Sequence, residues 1–516
     1  MNRIEINEQF KIALELMKDT SDSVFITGKA GTGKSTLLDY FRNITRKQVA
    51  VLAPTGVAAV NIKGQTIHSF FHFKPNITTQ QAVKIAARLI KQDKADLYRN
   101  LDAIIIDEVS MVRPDLMDCV DIFLRTIRRS RTLPFGGLQV ILIGDLYQLP
   151  PVVRSEERKA LRNIYEGEYF FNAHVFKELK FAFLELEKVY RQKDPEFIRL
   201  LNTVRNNSIT HGDIRIFNKR FDPDFEPAES FYIYLTARND KAAVVNAKRL
   251  DALPGKAHVF EGVVAGEFKM NSLPAEITLE LKKGAQVMLL NNDSRDRWIN
   301  GTIGVVRDFG EDIVEVELED GETVEVAPFM WEMFHYDFDK ENKALSTEIV
   351  GTFTQFPIRL AWAITIHKSQ GKTFERVIID VGSGTFATGQ MYVALSRART
   401  LEGVTLKREL KKNHVRIDYR IMKFLTQYQY EISDGKTPLA QKIGQLEAAV
   451  RDKRELAITY LKANDEKSRR IIKPVSVGEM EYAGKTFTGL KAFCHTRKQD
   501  RTFRVDRILE MKPLKK

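Results

Sequence analysis

Three short stretches carry residue types whose spacing suits chemistry on a phosphoanhydride. The first, SVFITGKAGTGKSTLLDYF from Ser23, is an apolar run feeding a glycine loop and then a segment with helical apolar spacing. Gly28, Gly31 and Gly33 let backbone N–H groups curl round phosphates without Cβ obstruction. Lys34 is set to reach the β- and γ-phosphates and the Ser35 hydroxyl to ligate Mg²⁺, with Thr32 and Thr36 completing the expected ATP-binding set. The second, LDAIIIDEVSM at 101–111, is an apolar strand that delivers Asp107 and Glu108 at its end. In this Walker B pattern Asp107 holds the magnesium shell, and Glu108, beside the metal and not in it, polarises the attacking water. The third, LQVILIGD at 138–145, leads into a turn carrying Gln148, an amide placed to sense the γ-phosphate.

Hydrolysis builds negative charge in the transition state, so a motor that couples it to motion brings arginines across a cleft. Arg191 in LELEKVYRQ and Arg397 in QMYVALSRART each end an apolar segment well downstream of the P-loop. The bland alternative for either is a surface salt bridge.

The elements that must position these residues follow from pattern. To about residue 190 apolar strands alternate with helical spacing, which predicts an α/β lobe: a parallel sheet with helices on both faces. A second such lobe is expected over 191–430, split by 301–330, where alternating β-branched and acidic residues with turn signals predict short antiparallel strands. That insertion is expected as a small β-barrel at about 285–353. SDGKTPL at 433–439 is rich in breakers and reads as a linker, set at 431–440, before a separate basic unit at 441–516.

Size agrees with several domains, since 516 residues exceed what one core organises. A 43% hydrophobic, 29% charged chain with no ~18-residue apolar run is expected to be soluble, with no membrane partner. Met1 to Phe10 lacks the apolar core of a signal peptide, which predicts a cytoplasmic, nucleoid-associated location. Cys119 and Cys494 are the only cysteines and suggest neither disulfide nor zinc. The net charge of +12 is uneven: residues 437–516 hold 19 Lys and Arg against 10 Asp and Glu. Such asymmetry points to a polyanion, against the alternative of a merely solvated basic surface. The run RTIRRSR at 125–131 reads as the solvated face of a helix.

Taken in order, the motifs resemble the Pif-type DNA helicases of superfamily one, B branch, with RecD-like and Dda-like enzymes as relatives. The likeness covers roughly 1–430 and rests on NEQ at 7–9, GKAGTGKS at 28–35, APTGVAAVNIKGQTIHSFF at 53–71, IIIDEVSMVRPDLMD at 104–118, GDLYQLPPV at 144–152, LEKVYRQ at 186–192, QFPIRLAWAITIHKSQGKTF at 355–374 and YVALSRAR at 392–399. Ser110 to Ile127 is similar to the signature helix of that family. The resemblance implies two RecA-like motor lobes, with Gln9 reading the adenine edge, Arg191 and Arg397 as arginine fingers, and Gly371 with Gln370 linking DNA grip to nucleotide. It further implies strand contacts at Pro54, Thr55, Gly56, His68 and Phe70, and at Thr365, His367 and Lys368. His68 and Phe70 offer flat faces for a base, against the alternative of core aromatics. About 71–80 would be a wedge that parts the strands.

The last segment resembles a WYL domain, a small Sm-like barrel, although the namesake triplet appears only as Thr488-Gly489-Leu490. On a strand, Arg501 and Phe503 would share one face and Arg504 the other, a basic surface with an interleaved aromatic for single-stranded DNA. The activity so implied is an ATP-dependent 5′-to-3′ DNA helicase working as a monomer on single-stranded, forked or partial duplex DNA. Quadruplex and RNA–DNA hybrid stay open as substrates. A single-strand translocase or protein-displacing ATPase is the competing enzyme class; a regulator with a relic P-loop is the non-enzymatic one.

Overall fold

The computed structural model describes residues 6–227, 229–382, 387–482 and 484–514. It divides into two units, one formed by the residues up to Val204 with Ile209–Arg416, the other by Arg205–Ser208 with Ile417–Lys516.

In the larger unit, the described strands of the first lobe are β1 (Ser23–Gly28), β2 (Val49–Ala53), β3 (Gln65–Thr66), β4 (Ala103–Ile106), β5 (Gln139–Ile143) and β6 (Phe181–Leu186), in the order β3-β2-β4-β5-β1-β6. All pairs are parallel. Runs such as VFI in β1 and VILI in β5 are unbroken because helices cover both faces. Phe10, Met17, Leu37 and Phe41 from two helices pack with Ile26, Ile105 and Ile141 from the strands as one core. The parallel order brings the carboxyl ends of β1, β4 and β5 side by side, where an open α/β sheet forms its crevice.

The helix Pro114–Ile127 starts with proline at N1, where the missing N–H costs nothing. Its buried Asp118 accepts from the backbone N–H groups of His174 and Val175, both at 3.1 Å, and from the Tyr165 hydroxyl at 3.0 Å. The arginine run at its end is less solvated than its sequence suggests. Arg125 pairs with Asp121 and Glu178, and Arg128 donates to the carbonyls of Tyr98, Arg99, Leu101 and Gly136. The segment at 71–80 is anchored: Phe71, Phe73 and Ile77 are buried, Phe71 and Phe73 packing on Phe123, while Lys74, Pro75 and Asn76 are exposed.

The second lobe orders its described strands Ala363–Thr365, Tyr232–Thr236, Arg376–Asp380, Val404–Leu406, again parallel. What interrupts it is wider than 285–353. Strands from His258–Glu261 onward already belong to the insertion, and Ile358–Leu360 closes an antiparallel sheet ordered Thr323–Val326, Val314–Leu318, Ile303–Phe309, Gln286–Leu289, Ile358–Leu360. Among the described residues no pairing joins its two end strands. A long hairpin, Phe329–Asp339 with Ala344–Gln355, leaves this sheet and docks on the first lobe. Val51 N–H donates to the Tyr336 hydroxyl at 3.0 Å, Gln48 donates to Lys343 O at 3.0 Å, and Lys340 pairs with Asp93 and Asp96.

The smaller unit has helices Tyr419–Lys436 and Leu439–Arg451 on an antiparallel sheet ordered Gln499–Arg504, Lys485–Cys494, Lys467–Tyr482, Leu456–Leu461, Ile508–Pro513. The expected linker at 431–440 is not one: the helix continues to Lys436, and the next begins at Leu439. Ser433 of this stretch is held by bonds outside its own helix. Ser433 Oγ donates to Leu509 O at 2.8 Å and receives Lys442 Nζ at 2.9 Å. No helix among the described residues is long and apolar enough to cross a membrane.

Asp118→Ala strands the buried Val175 N–H, the half-buried His174 N–H and the buried Tyr165 hydroxyl, and is expected to cost about 3 kcal/mol of unfolding free energy. A denaturant titration checks this, with Asp118→Asn expected to fall between the variant and the parent.

Candidate active site

The P-loop joins β1 to the helix Lys34–Ile44, and its shape depends on two left-handed glycines, Gly31 at φ 79° and Gly33 at φ 85°. Gly31 is doubly constrained, since a Cβ there would lie 2.4 Å from Arg191 Cβ. Lys34 Nζ donates to Gly28 O at 2.8 Å and Lys29 O at 3.0 Å, so the ammonium curls over the loop it is meant to arm. Two aromatic residues from outside the loop fix it: Ala30 N–H donates to the Tyr392 hydroxyl at 2.9 Å, and Tyr190 N–H donates to Gly31 O at 2.8 Å.

At the end of β4, Asp107 N–H donates to Leu52 O, and Glu108 takes a left-handed backbone, φ 49°. That conformation is uncommon outside glycine and typical of functional turns. Burial, and then the neighbouring Asp107 carboxylate, push Glu108 up to about 7; burial also raises Asp107. An amide from the second lobe bridges the set: Gln370 Nε2 donates to Glu108 Oε2 at 3.0 Å and to Gln148 Oε1 at 3.1 Å. Gln148 in turn donates to Asp145 at 3.3 Å.

The two arginines meet at the same place. Arg191, on the connector after β6, donates to Gly371 O at 2.9 Å and Ser396 O at 3.4 Å. Arg397 is 1% exposed and donates to Val393 O, Ser369 O and Lys372 O and to the Ser396 hydroxyl. Neither forms an ion pair among the described residues, and burial followed by Arg191 holds Arg397 well below the usual arginine range. Gly31, Gly33, Lys34, Ser35, Thr36 and Glu108 line a cleft of about 1050 Å³ together with Arg191, Gly371, Lys372 and Arg397. At its rim Gln9 Oε1 accepts from Glu187 N–H at 2.9 Å, and Asn7 donates to the Tyr190 hydroxyl at 3.0 Å.

The expected strand contacts divide. Pro54 is half-buried, Thr55 caps the helix Gly56–Asn61 by accepting from Ala58 N–H, and His68 is half-buried, its imidazole lowered mainly by burial. His367 and Lys368 are exposed, and Thr365 is buried with its hydroxyl accepting from Lys368 N–H. Phe70 is a correction: at 2% exposure it packs edge-on to Phe71, Tyr98 and Tyr336, so it is core and offers no face to a base. Phe503 is another. It sits in the core of the smaller unit against Tyr460, while Arg504 is neutralised by Asp506 and only Arg501 of the three is fully exposed. Tyr392, Asp145, Tyr190 and Lys372 were not singled out as site residues. Tyr392 lies in an apolar helix where nothing marks it, but Asp145 ends a strand beside Gln148 and could have been found.

Two parallel-sheet lobes closing on a P-loop define a RecA-like, P-loop nucleotide-binding class. Comparison with known proteins narrows it. Residues 5–214 match the PIF1-like helicase family, 360–404 a UvrD-like helicase C-terminal domain, and 441–513 a WYL domain. The ATP-dependent DNA helicase Pif1 of Bdellovibrio bacteriovorus is 31% identical over 83% of this chain and 93% of its own length. The human ATP-dependent DNA helicase PIF1 is 34% identical over 81% of this chain, which spans 63% of the human protein. Bacteroides sp Pif1 in complex with ADP-AlF4 superposes with a TM-score of 0.76 at 37% identity, covering 83% of this chain and 98% of that one; bound to ssDNA, with the same identity and coverage, it superposes at 0.58. The chain belongs to the PIF1-like helicase family.

A carboxylate raised to about 7 in the fold disfavours the folded state once ionised, so its cost is present above pH 7 and vanishes below about 4.5. Glu108→Gln is therefore expected to melt at higher temperature than the parent at pH 8, by an amount that shrinks to nothing towards pH 4.5. Thermal scans across that window check it.

Proposed function

We propose that the chain is an ATP-dependent 5′-to-3′ DNA helicase that moves on single-stranded DNA and unwinds duplex. The observation that carries this is the segment after Ala363–Thr365. Within six residues it passes from exposed His367 and Lys368, fit to touch a strand, to Gln370, whose amide holds Glu108 and Gln148. A shift of that segment against a strand must move the groups around the γ-phosphate position. The polarity rests on the family likeness.

In this reading the P-loop amides and Lys34 take the phosphates, the ammonium exchanging the Gly28 and Lys29 carbonyls for phosphate oxygens. Glu108, raised towards neutrality, accepts the proton of the attacking water, and Gln148 and Gln370 orient it. Arg191 and Arg397 aim uncompensated charge at the oxygens that gain negative charge in the transition state. Ser35 and Asp107, a hydroxyl and a carboxylate, are the hard oxygen donors that suit Mg²⁺, which when bound neutralises charge on the β- and γ-phosphates. Gln9 takes the adenine edge. The exposed tip Lys74–Asn76, braced by buried Phe71, Phe73 and Ile77, is the wedge. Forked and partial duplexes are the substrates, with quadruplex or RNA–DNA hybrid as further ones, the working form is a monomer, and the location is cytoplasmic and nucleoid-associated. The basic terminal unit adds single-strand binding or tunes coupling.

ATP turnover is expected to rise at least ten-fold with single-stranded DNA. Lys34→Ala and Glu108→Gln abolish it, the latter with nucleotide binding retained. Replacing Lys74–Asn76 with glycines is expected to spare the stimulated turnover and lower unwinding of a fork; a fork opened at the parental rate would leave the chain without this wedge. Because the units divide at Arg416, a chain ending there is the proper truncation, and it should keep DNA-stimulated turnover while its single-strand affinity becomes less salt-dependent.

A further inference from the structure

Arg359 lies on Ile358–Leu360 in register with Met288. Its Nη2 donates to Pro274 O at 2.8 Å, and its Nε is buried with no hydrogen-bond partner among the described residues. Two lysines feel this guanidinium. Burial, and then Arg359, lower both Lys368 and Lys372, the latter to about 8. The carboxylate acting on Arg359 and Lys368 is that of the exposed Glu276, and among the described residues none of the three cations is in an ion pair. Three cations that share one exposed carboxylate and form no ion pair leave the free protein short of an anion.

The place is specific. Pro274 follows Ser272, which lies so close to Gly56 that a Cβ there would sit 2.2 Å from its Oγ. Lys372 packs its stem over Gly301 and donates to Asn300 Oδ1, and Asn300 Nδ2 lies 3.4 Å from Asn61 Oδ1 on the helix that Gly56 begins. The cluster therefore borders the Pro54–Gly56 turn on one side, and through Lys372 it lines the nucleotide cleft on the other.

We propose that Arg359, with Lys368 and Lys372, seats a backbone phosphate of the bound single strand at the seam beside Gly56. The seat rests on the helicase reading above and adds to it a phosphate site that reports to the nucleotide cleft. A guanidinium with an unused N–H suits a phosphodiester, which accepts two parallel bonds from such a fork. Once the phosphate is in place, the repulsion on Lys372 is screened, so strand occupancy alters a residue of the nucleotide cleft without any contact between the two ligands.

The test uses the full chain and a labelled oligo-dT titrated over a range of salt. Arg359→Gln is expected to weaken binding about ten-fold at low salt and to flatten the slope of log affinity against log salt by about 0.7, the contribution of one phosphate on a single strand. Arg359→Lys keeps most of the slope. Glu276→Gln, which removes only the competing carboxylate, is expected to tighten binding, a gain that no loss of folding would produce. A parental slope in Arg359→Gln, or a parental affinity in Glu276→Gln, overturns the seat; if Arg359→Gln loses its cooperative melt, Glu276→Gln decides alone. Failure of the parent chain to bind oligo-dT in a salt-dependent way overturns the helicase reading itself, and the seat with it.

Discussion

Buried charges held apart from their opposites organise this molecule. Glu108, with Asp107 next to it in the chain, borders the cleft that Arg191 and Arg397 also line, yet no ion pair among the described residues joins the carboxylates to the arginines. Instead, backbone carbonyls and amides hold each group apart. Burying ions in this way is costly, and breaking one partner from a neutralised pair would be costlier still. The arrangement leaves the cleft ready for a ligand that carries negative oxygens outside and accepts a cation between them.

Holding such groups apart requires rigid supports from two directions, which explains the architecture. The strand ends of β1, β4 and β5 deliver the phosphate loop, the acid pair and Gln148 from a sheet whose strands are buried on both faces. The facing arginines are held by one loop, Ser369–Lys372. Its carbonyls receive Arg191 and Arg397, and its Gln370 side chain crosses to Glu108. Tyr392 adds a direct tie from the second lobe to the P-loop backbone. The site is thus complete only when both lobes contribute.

How much of this could be read from the chain depends on whether type alone reveals position. Gly31, Gly33, Lys34, Asp107 and Glu108 are legible because few other uses exist for such residues at the ends of apolar strands. Phe70 and Phe503 were not, because a phenylalanine reads alike whether it meets a base or Tyr98 and Tyr460. The helix through Ser433 to Lys436 was hidden for another reason: Ser433 is satisfied by Leu509, 76 residues on, and by Lys442 on the next helix. The docking of Tyr336 on Val51 was equally invisible, being a contact between residues that no local pattern connects.

The split second lobe has a bearing on how the protein is made. All the strands of the first sheet have left the ribosome once Leu186 has, and it can pack at once. Tyr232–Thr236 instead waits for partners at Ala363–Thr365 and Arg376–Asp380, with the whole insertion translated in between. At about 5–20 residues per second, that strand spends on the order of ten seconds with both edges unpaired. The insertion has its own core, built on Val287, Val306, Val316 and Val324, and so can bury its apolar surface during the delay. Nascent chains stalled before residue 376 should accordingly be the ones that depend most on chaperones.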